Sequence, residues 1–339
     1  MNFPSIVSAR TGPYTFAVSL FSTGEYALDY LDVAVMHDQE WFDAARHGKT
    51  RVIALGGKGR NAILSLSRWL PPGIDLLLQT NDEQGRLLTK RYAGAANELE
   101  DGDALITLPG PTDFEAETLF IWAGLGGQFG TLHSQTLACD DRNKNIPIFA
   151  LVTLPFAFEG ERAERAEKSR KALEKNTEGC FALRNEALIE IFGGEADLAK
   201  VFTLQDQWLA HALLTIKGLA DTQSIRPLVS QTGLGYRLNM GFGRSTGTNR
   251  VDQAVTAAFS SPLLQGMNKH SHHAVVVLCS SKVPSETEME QARKLTAYAF
   301  TSDCKVTVHA LCDPRMGDDL YATIFLFDRE SPDSGKPHS

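Results

Sequence analysis

The sequence predicts an α/β fold: a parallel sheet covered on both faces by helices, then a long central helix, then a smaller α/β unit. Three observations carry this. Short apolar runs without strict alternation recur between segments of helical period, the pattern of strands buried on both faces. Two of those runs break directly into glycine clusters, GGKGRNA at 56–62 and GLGGQFGT at 124–131. FTLQDQWLAHALLTIKGLADTQSI, residues 202–225, keeps a helical period throughout, with apolar positions at 204, 208, 209, 212, 213 and 216.

In chain order, RVIAL (51–55) is the first strand and NAILSLSRWL (61–70) a helix with apolar positions three and four apart. IDLLLQ (74–79), TLFIWA (118–123) and IPIFALVTL (146–154) are further buried strands. ERAERAEKSRKALEKNT (161–177) reads as a helix with a solvated charged face. The long helix stops near Pro227. GYRLNMGFGRS then leads to helix VDQAVTAAFSS, strand HAVVVLC, helix EMEQARKLTAYAF and strands KVTVHALC and YATIFLFD. In the first fifty residues YTFAVSLF and YALDYLDVAVM read as extra strands and QEWFDAARHG as a short helix, and an extension of the core is favoured over a partner surface. The last eleven residues are polar, carry two prolines and read as disordered. The units are therefore 1–50, 51–202, the central helix 203–227, 228–328 and a tail at 329–339.

A net charge of −8 argues against general nucleic-acid binding, which shows a basic excess. The five cysteines are scattered without a C-x-x-C pair, which fits reduced thiols and a cytoplasmic setting. The start, MNFPSIVSARTG, lacks an apolar signal core, and no uncharged run reaches the ~18 apolar residues of a membrane span. Peripheral membrane attachment stays open.

Gly57, Gly59 and Ala62 satisfy G-x-G-x-x-A between a strand and a helix, and Asp82 follows twenty residues after Ala62. That fits a dinucleotide fingerprint, but the pattern alone is weak. A second glycine loop on another strand suits a mononucleotide triphosphate better, because N–H groups from both can surround several phosphates. GRSTG at 243–247 matches G-x-S-x-G and would make Ser245 a nucleophile with His309 and Asp303 or Asp313. NMGFGRSTGTN reads, however, as a glycine-rich connection too loose for a strained nucleophile elbow. His270, His272 and His273 cluster without a cysteine to complete a zinc set.

Together these features resemble the FtsZ/tubulin family, in its bacterial FtsZ branch, from about Arg51 to Asp328. RVIALGGKGRNA resembles the first phosphate loop, where a strand runs into GGGGGNA. GLGGQFGT stands in place of the signature GGGTGTG. IFALVTLPFAFEGERAERAE is similar to VVTKPFNFEGKKR, and RNEAL (184–188) to PNDKL. GYRLNMGFGRSTGTNRVDQAVTAAFSSPLL resembles GYAMMGSGxxxGxxRAxxAAxxAxxSPLL. The resemblance implies an FtsZ/tubulin-like fold with a Rossmann-type nucleotide-binding domain, a long central helix and a smaller C-terminal α/β domain.

It also implies roles. Gly56, Gly57, Gly59 and Asn61 line the first phosphate loop. Asp82 and Gln84 stand where the family has TDxQ near the phosphates. Gly124, Gly126, Gly127, Gly130 and Thr131 form the second loop. Pro155, Glu159 and Arg162 face the ribose, and Asn185 and Trp208 hold the base. The implied ligand is GTP or GDP, with Mg2+ as a candidate counter-ion.

The departures bear on chemistry. The family's catalytic carboxylates, pattern N-x-D-x-x-D, lie in a loop after the central helix that enters the next subunit's pocket. Here that loop is shorter, and nothing from Arg226 to Tyr236 is acidic. The expectation is guanine-nucleotide binding with weak or no hydrolysis, no catalytic residue of its own, and self-association by something other than the standard protofilament contact. In the signature loop, Gln128 replaces a glycine, Phe129 a threonine and Leu132 a glycine. Gln at a position of positive φ would be strained or would reshape the loop. Phe129 would turn toward the core or a partner. Lys58 and Arg60 add two cations to a loop that is all glycine in the family, and are expected among the phosphate contacts with Gln128 beside them. The tail PDSGKPHS bears no likeness to the family's adaptor-binding peptide, so ordinary division-ring recruitment is not expected; a peripheral membrane or membrane-protein partner stays open, and membrane remodelling is a process implied by the resemblance alone. The rival readings are a GTPase with a rebuilt centre, an interaction module with an empty pocket, and a Rossmann oxidoreductase.

Overall fold

The computed structural model describes residues 50–66, 74–80, 96–98, 104–107, 116–140, 145–192, 198–221, 235–264, 271–300, 303–312 and 316–328. The strands are β1 (Thr50–Leu55), β2 (Ile74–Thr80), β3 (Ala96–Glu98), β4 (Ala104–Thr107), β5 (Thr118–Gly124) and β6 (Ile148–Leu154). They continue with β7 (Gly179–Arg184), β8 (Arg237–Ser245), β9 (His273–Ser280), β10 (Lys305–Cys312) and β11 (Leu320–Asp328). The helices are α1 (Gly56–Leu66), α2 (Gln128–Ala138), α3 (Glu161–Asn176), α4 (Asn185–Phe192), α5 (Leu198–Asp221), α6 (Arg250–Phe259) and α7 (Glu286–Ala299). Within these, the expectations for the first fifty residues, the approach to Pro227 and the tail lie outside the described residues.

Strand β5 shows why its side chains read as one apolar run. Phe120 and Trp122 enter one core cluster, while Leu119, Ile121 and Ala123 enter the other. The two-residue repeat of a strand sends them to opposite faces, and helices cover both. All five are buried. Each of the larger side chains contributes roughly 1.5–3 kcal/mol, which is why apolar residues fill both faces of the strand after Thr118.

One sheet runs in the order β10-β9-β11-β8-β7-β6-β5-β1-β2-β4-β3. From β8 to β2 every neighbouring pair is parallel. The chain leaves β1 toward β2 on one side, and later builds β5, β6 and β7 on the other. β1 and β5 are neighbours, with Leu55 opposite Ala123. The order therefore reverses between them, and in open α/β sheets the crevice for a ligand lies beyond the carboxyl ends of strands at that point.

Helix α5 packs across both halves of the sheet. Trp208, Leu209, Ala212, Leu213 and Ile216 join one core cluster with Phe120 and Trp122 on one side and Val275 and Phe325 on the other. The predicted stripe thus enters the core, but burial extends around the helix to Gln205, Gln207, His211 and Lys217, and the helix begins at Leu198, before the expected start. His211, fully buried on this helix, lies with Nε2 2.9 Å from Thr323 Oγ1 on β11. Burial pulls its imidazole down to about 3.

NMGFGRS is a correction: it belongs to β8, antiparallel to β11, and is not a loose connection. Its glycines are spacing devices. A Cβ on Gly241 would lie 2.2 Å from the Ala258 carbonyl oxygen, and one on Gly243 2.2 Å from that of Ala254. Helix α6 therefore lies so close to the strand that a side chain there has no room. β7, from GCFALR, was not foreseen either.

Replacing Gly243 by Ala should lower stability by about 1–3 kcal/mol through overpacking, read as a shift in the urea midpoint at unchanged slope. His211 predicts the acid limb. Its folded-state value lies below the unfolded ~6.5, so the stability it contributes is complete above that pH and declines as pH falls toward about 3. His211→Gln should flatten the decline between pH 7 and pH 4 in denaturation curves.

Candidate phosphate loops and base-binding end

Helix α1 begins at the residue after β1, so Gly56 to Gly59 supply its first turn. The expected helix at 61–70 starts earlier, at the glycines themselves. Gly56 has φ +64°. A Cβ on Gly59 would stand 2.5 Å from the Ala54 carbonyl carbon, so only glycine lets the turn lie on its own strand. Asn61 is exposed, and Arg60 donates to its Oδ1 at 3.2 and 3.3 Å.

The second loop follows β5. Gly126 has φ +95° and donates its N–H to Thr131 Oγ1 at 2.9 Å. Gly127 is the N-cap and Gln128 the first residue of α2. The left-handed residue is therefore Gly126, and Gln128 takes helical backbone without strain. A Cβ on Gly130 would meet the Gly124 carbonyl oxygen at 2.6 Å, which fixes α2 against the end of its strand. Phe129 is half-buried, stacks on His133 at 4.0 Å between centroids, and lies with Cδ1 3.5 Å from where a Gly56 Cβ would stand. It sits between the two loops.

Neither α1 nor α2 carries an acidic residue in its first turn. By contrast α3 opens with Glu161 and Glu164, and α4 with Glu186. An unsatisfied helix N-terminus carries roughly half a positive charge. The first turn of α5 is acid-free too, but α1 and α2 are the two such helices that follow directly on the neighbouring strands β1 and β5. Both stand at the switch point.

A third loop closes on the second. Pro155 follows β6, and a Cβ on Gly126 would meet Pro155 Cγ at 3.1 Å and Arg162 Cγ at 2.7 Å. Glu159 accepts from the Phe156 N–H at 2.8 Å and from Arg162 at 2.6 Å, so the two expected ribose residues are bonded to each other. Asp82 and Gln84 lie outside the described residues.

The far end is polar. Asn185, first in α4, accepts through Oδ1 from Gln205 Nε2 at 2.8 Å. Gln205 in turn accepts from Lys58 Nζ at 2.8 Å. Asp206, 4 % exposed, pairs with the same ammonium at 2.5 Å. Burial raises the Asp206 carboxyl, while Lys58 opposes that rise. Lys58 thus turns to the central helix and not, as expected, toward the phosphate loops. Phe202, one turn before Gln205 and Asp206, is 41 % exposed, and the Lys58 ammonium stands 5.8 Å from its ring centroid.

Trp208 corrects a second expectation. It is 3 % exposed within the core cluster and presents no open face. Two residues on from Asp206, it lies on another face of the helix, whereas Phe202 shares the face of Gln205 and Asp206. The signal that could have found Phe202 is that spacing, an aromatic three and four residues before two polar side chains.

The other motifs do not assemble. Ser245 bonds to Gln253 Oε1 at 2.5 Å, and His309 lies on β10, separated from β8 by two strands. Among the described residues no group of three metal-ligating side chains forms, and no helix is long and apolar enough to cross a membrane.

Residues 237–328 match the model of the FtsZ family, C-terminal domain. The cell division protein FtsZ of Wigglesworthia glossinidia brevipalpis is 29% identical over 305 residues, covering 81% of this chain and 77% of its own length. That of Azotobacter vinelandii is 26% identical over 304 residues, covering 81% and 75%. Among solved structures, an empty FtsZ dimer from M. jannaschii superposes with TM-score 0.63 at 20% identity, covering 93% of this chain and 98% of its own. GDP-bound monomeric CetZ1 from Haloferax volcanii gives 0.61 at 16% identity, covering 84% and 96%. The GTPγS-bound protofilament of CetZ2 from the same organism gives 0.53 at 17% identity, covering 83% and 94%.

Gly126→Ala should destabilise the fold by about 1–2 kcal/mol from the left-handed backbone alone, with more from the new Cβ against the Arg162 carbonyl oxygen at 2.8 Å. Gly127→Ala, where a Cβ meets nothing within 4 Å, should cost far less. Thermal melts of the two variants make the comparison.

Proposed function

This chain is a divergent member of the FtsZ/tubulin family, and on that premise we propose that it is an FtsZ-like guanine-nucleotide-binding protein with little or no hydrolysis. It acts by self-association or through a partner, with membrane remodelling as the process. The observation that carries the reading is the pair of acid-free, glycine-lined helix starts, α1 and α2, at the switch point of the parallel sheet.

The residues divide along the crevice. The first turn of α1 from Gly56, and the turn from Gly126 into α2, take the phosphates of GTP or GDP; the family resemblance alone adds Asp82, Gln84 and Mg2+ to the phosphate contacts. Pro155, Glu159 and Arg162 bound the ribose. Asn185 and Asp206 face the base edge, and Phe202, in the place first assigned to Trp208, supplies the aromatic face. Phosphoryl transfer depends on a positioned water and on charge placement. With no acidic residue from Arg226 to Tyr236, the water-positioning group is missing, which costs on the order of 10²–10⁴ in rate. The same loop would make the longitudinal contact, so assembly uses another surface. The FtsZ dimer and the CetZ2 protofilament among the similar solved structures support self-association in general.

A second reading, an interaction module with an empty pocket, is favoured by Lys58 and Phe129, which bring the chain's own side chains to the base end and between the phosphate loops.

The test begins with protein purified from cells and denatured to release bound nucleotide for identification. GTP turnover is then followed against protein concentration. Guanine nucleotide with flat, low turnover supports the proposal; turnover rising with concentration points to a rebuilt catalytic centre. Phe202→Ala should weaken guanine-nucleotide binding roughly tenfold to a hundredfold, the range of one base–aromatic stack, without lowering the melting temperature. Isothermal titration checks the affinity.

A further inference from the structure

We propose that Lys58 is an internal ligand for the base-binding end of the pocket, so that a guanine nucleotide binds only by displacing its ammonium from Asp206 and Gln205. The inference rests on the nucleotide-binding reading above. It adds a specificity-determining residue that the glycine loop of the family does not contain.

The chemistry of the acceptors leads to it. A guanine edge presents two adjacent N–H donors, and a carboxylate is the side chain that accepts both. Asp206 is the buried carboxylate at this end. Its Oδ1 is held by Lys58 Nζ at 2.5 Å. The same ammonium donates to Gln205 Oε1, and Gln205 Nε2 donates to Asn185 Oδ1. The Phe202 ring is engaged as well, 5.8 Å from Nζ. One lysine thus engages, by ion pair, hydrogen bond or ring contact and through Gln205, each group that would recognise the base.

The stem is built in. Lys58 Cβ lies 2.9 Å from where a Gly124 Cβ would stand, so the chain passes through the gap between the first loop and the end of β5. Its side chain is only 16 % exposed. A cation so placed repels N–H donors and competes with them for Asp206 Oδ1. Adenine, with an acceptor in the middle of that edge, has less to gain from a freed carboxylate. Lys58 therefore lowers the preference for guanine as well as the affinity.

The sign of one substitution separates this from a phosphate clamp. A lysine that contacts phosphate in the bound state makes Lys58→Met bind more weakly. A lysine that competes with the base makes it bind more tightly. Nucleotide-stripped full-length protein and K58M, which keeps the apolar stem, are titrated calorimetrically with GTP, ATP and tripolyphosphate. The expected result is a gain of tenfold or more for GTP, a smaller gain for ATP and none for tripolyphosphate. GTP binding by K58M where the unsubstituted chain shows none also supports the proposal. Equal affinity, weaker binding, or the same gain for all three ligands overturns it and leaves the nucleotide-binding reading standing. No GTP binding by either protein overturns both. Circular dichroism checks that K58M folds; if it does not, K58Q, which keeps one N–H for Asp206, is titrated in its place and should show a smaller gain in the same order of ligands.

Discussion

Two backbone contacts set the geometry of the crevice: the first turn of α1 on its own strand, and the first turn of α2 on the end of β5. At Gly59 and Gly130 a Cβ would come within 2.6 Å of strand backbone. Only a residue without a side chain permits that approach, and it brings the two helix starts side by side at the point where the strand order reverses. The rest follows from the sheet. Leu55 and Ala123 are in register, so the loops that follow them leave at the same level. Strands filled mainly with apolar side chains then leave the polar groups of the site to the loops and to the helices α4 and α5.

This geometry explains why a substitution inside the glycine loop reaches so far. Position 58 is in the first turn of α1, facing Gly124 across the gap. Glycine there would leave the space open. A lysine must run along it, and its ammonium arrives where α5 offers Gln205 and Asp206. Burying a carboxylate is costly unless it is paired, and burial indeed raises the Asp206 carboxyl while Lys58 opposes the rise. The loop and the central helix therefore stabilise each other through a charge pair that a loop made only of glycine could not form.

The sheet was legible because its signal is redundant. IDLLLQ, TLFIWA and IPIFALVTL are each dominated by consecutive apolar residues, and β2, β5 and β6 stand where those runs do. β8 was not legible because its glycines, which argue for a turn, serve a helix packed at 2.2 Å from the missing side-chain positions. That reason is tertiary and leaves no local trace. The two glycine turns at the starts of α1 and α2 could be read from glycine spacing. Which aromatic of α5 stays open could not, because Trp208 and Phe202 share one helix and differ only in which face is covered. Side-chain direction was the least accessible part. Nothing in GGKGRNA says that Lys58 turns toward α5 or that Arg60 stays with Asn61.

Helix α5 gives the pocket its connection to the remainder of the molecule. Near its start Gln205 and Asp206 hold Lys58; one turn later His211 meets Thr323 on β11. Further along, a Cβ on Gly218 would stand 2.8 Å from Leu311 on β10. The same helix is thus fixed to the first phosphate loop at one end and to the C-terminal strands at the other, with a close-packed face between them. Close-packed interiors have few voids, and this helix leaves none to spare at either contact. The side chain of Lys58 is therefore joined, through one buried helix, to strands of the C-terminal half.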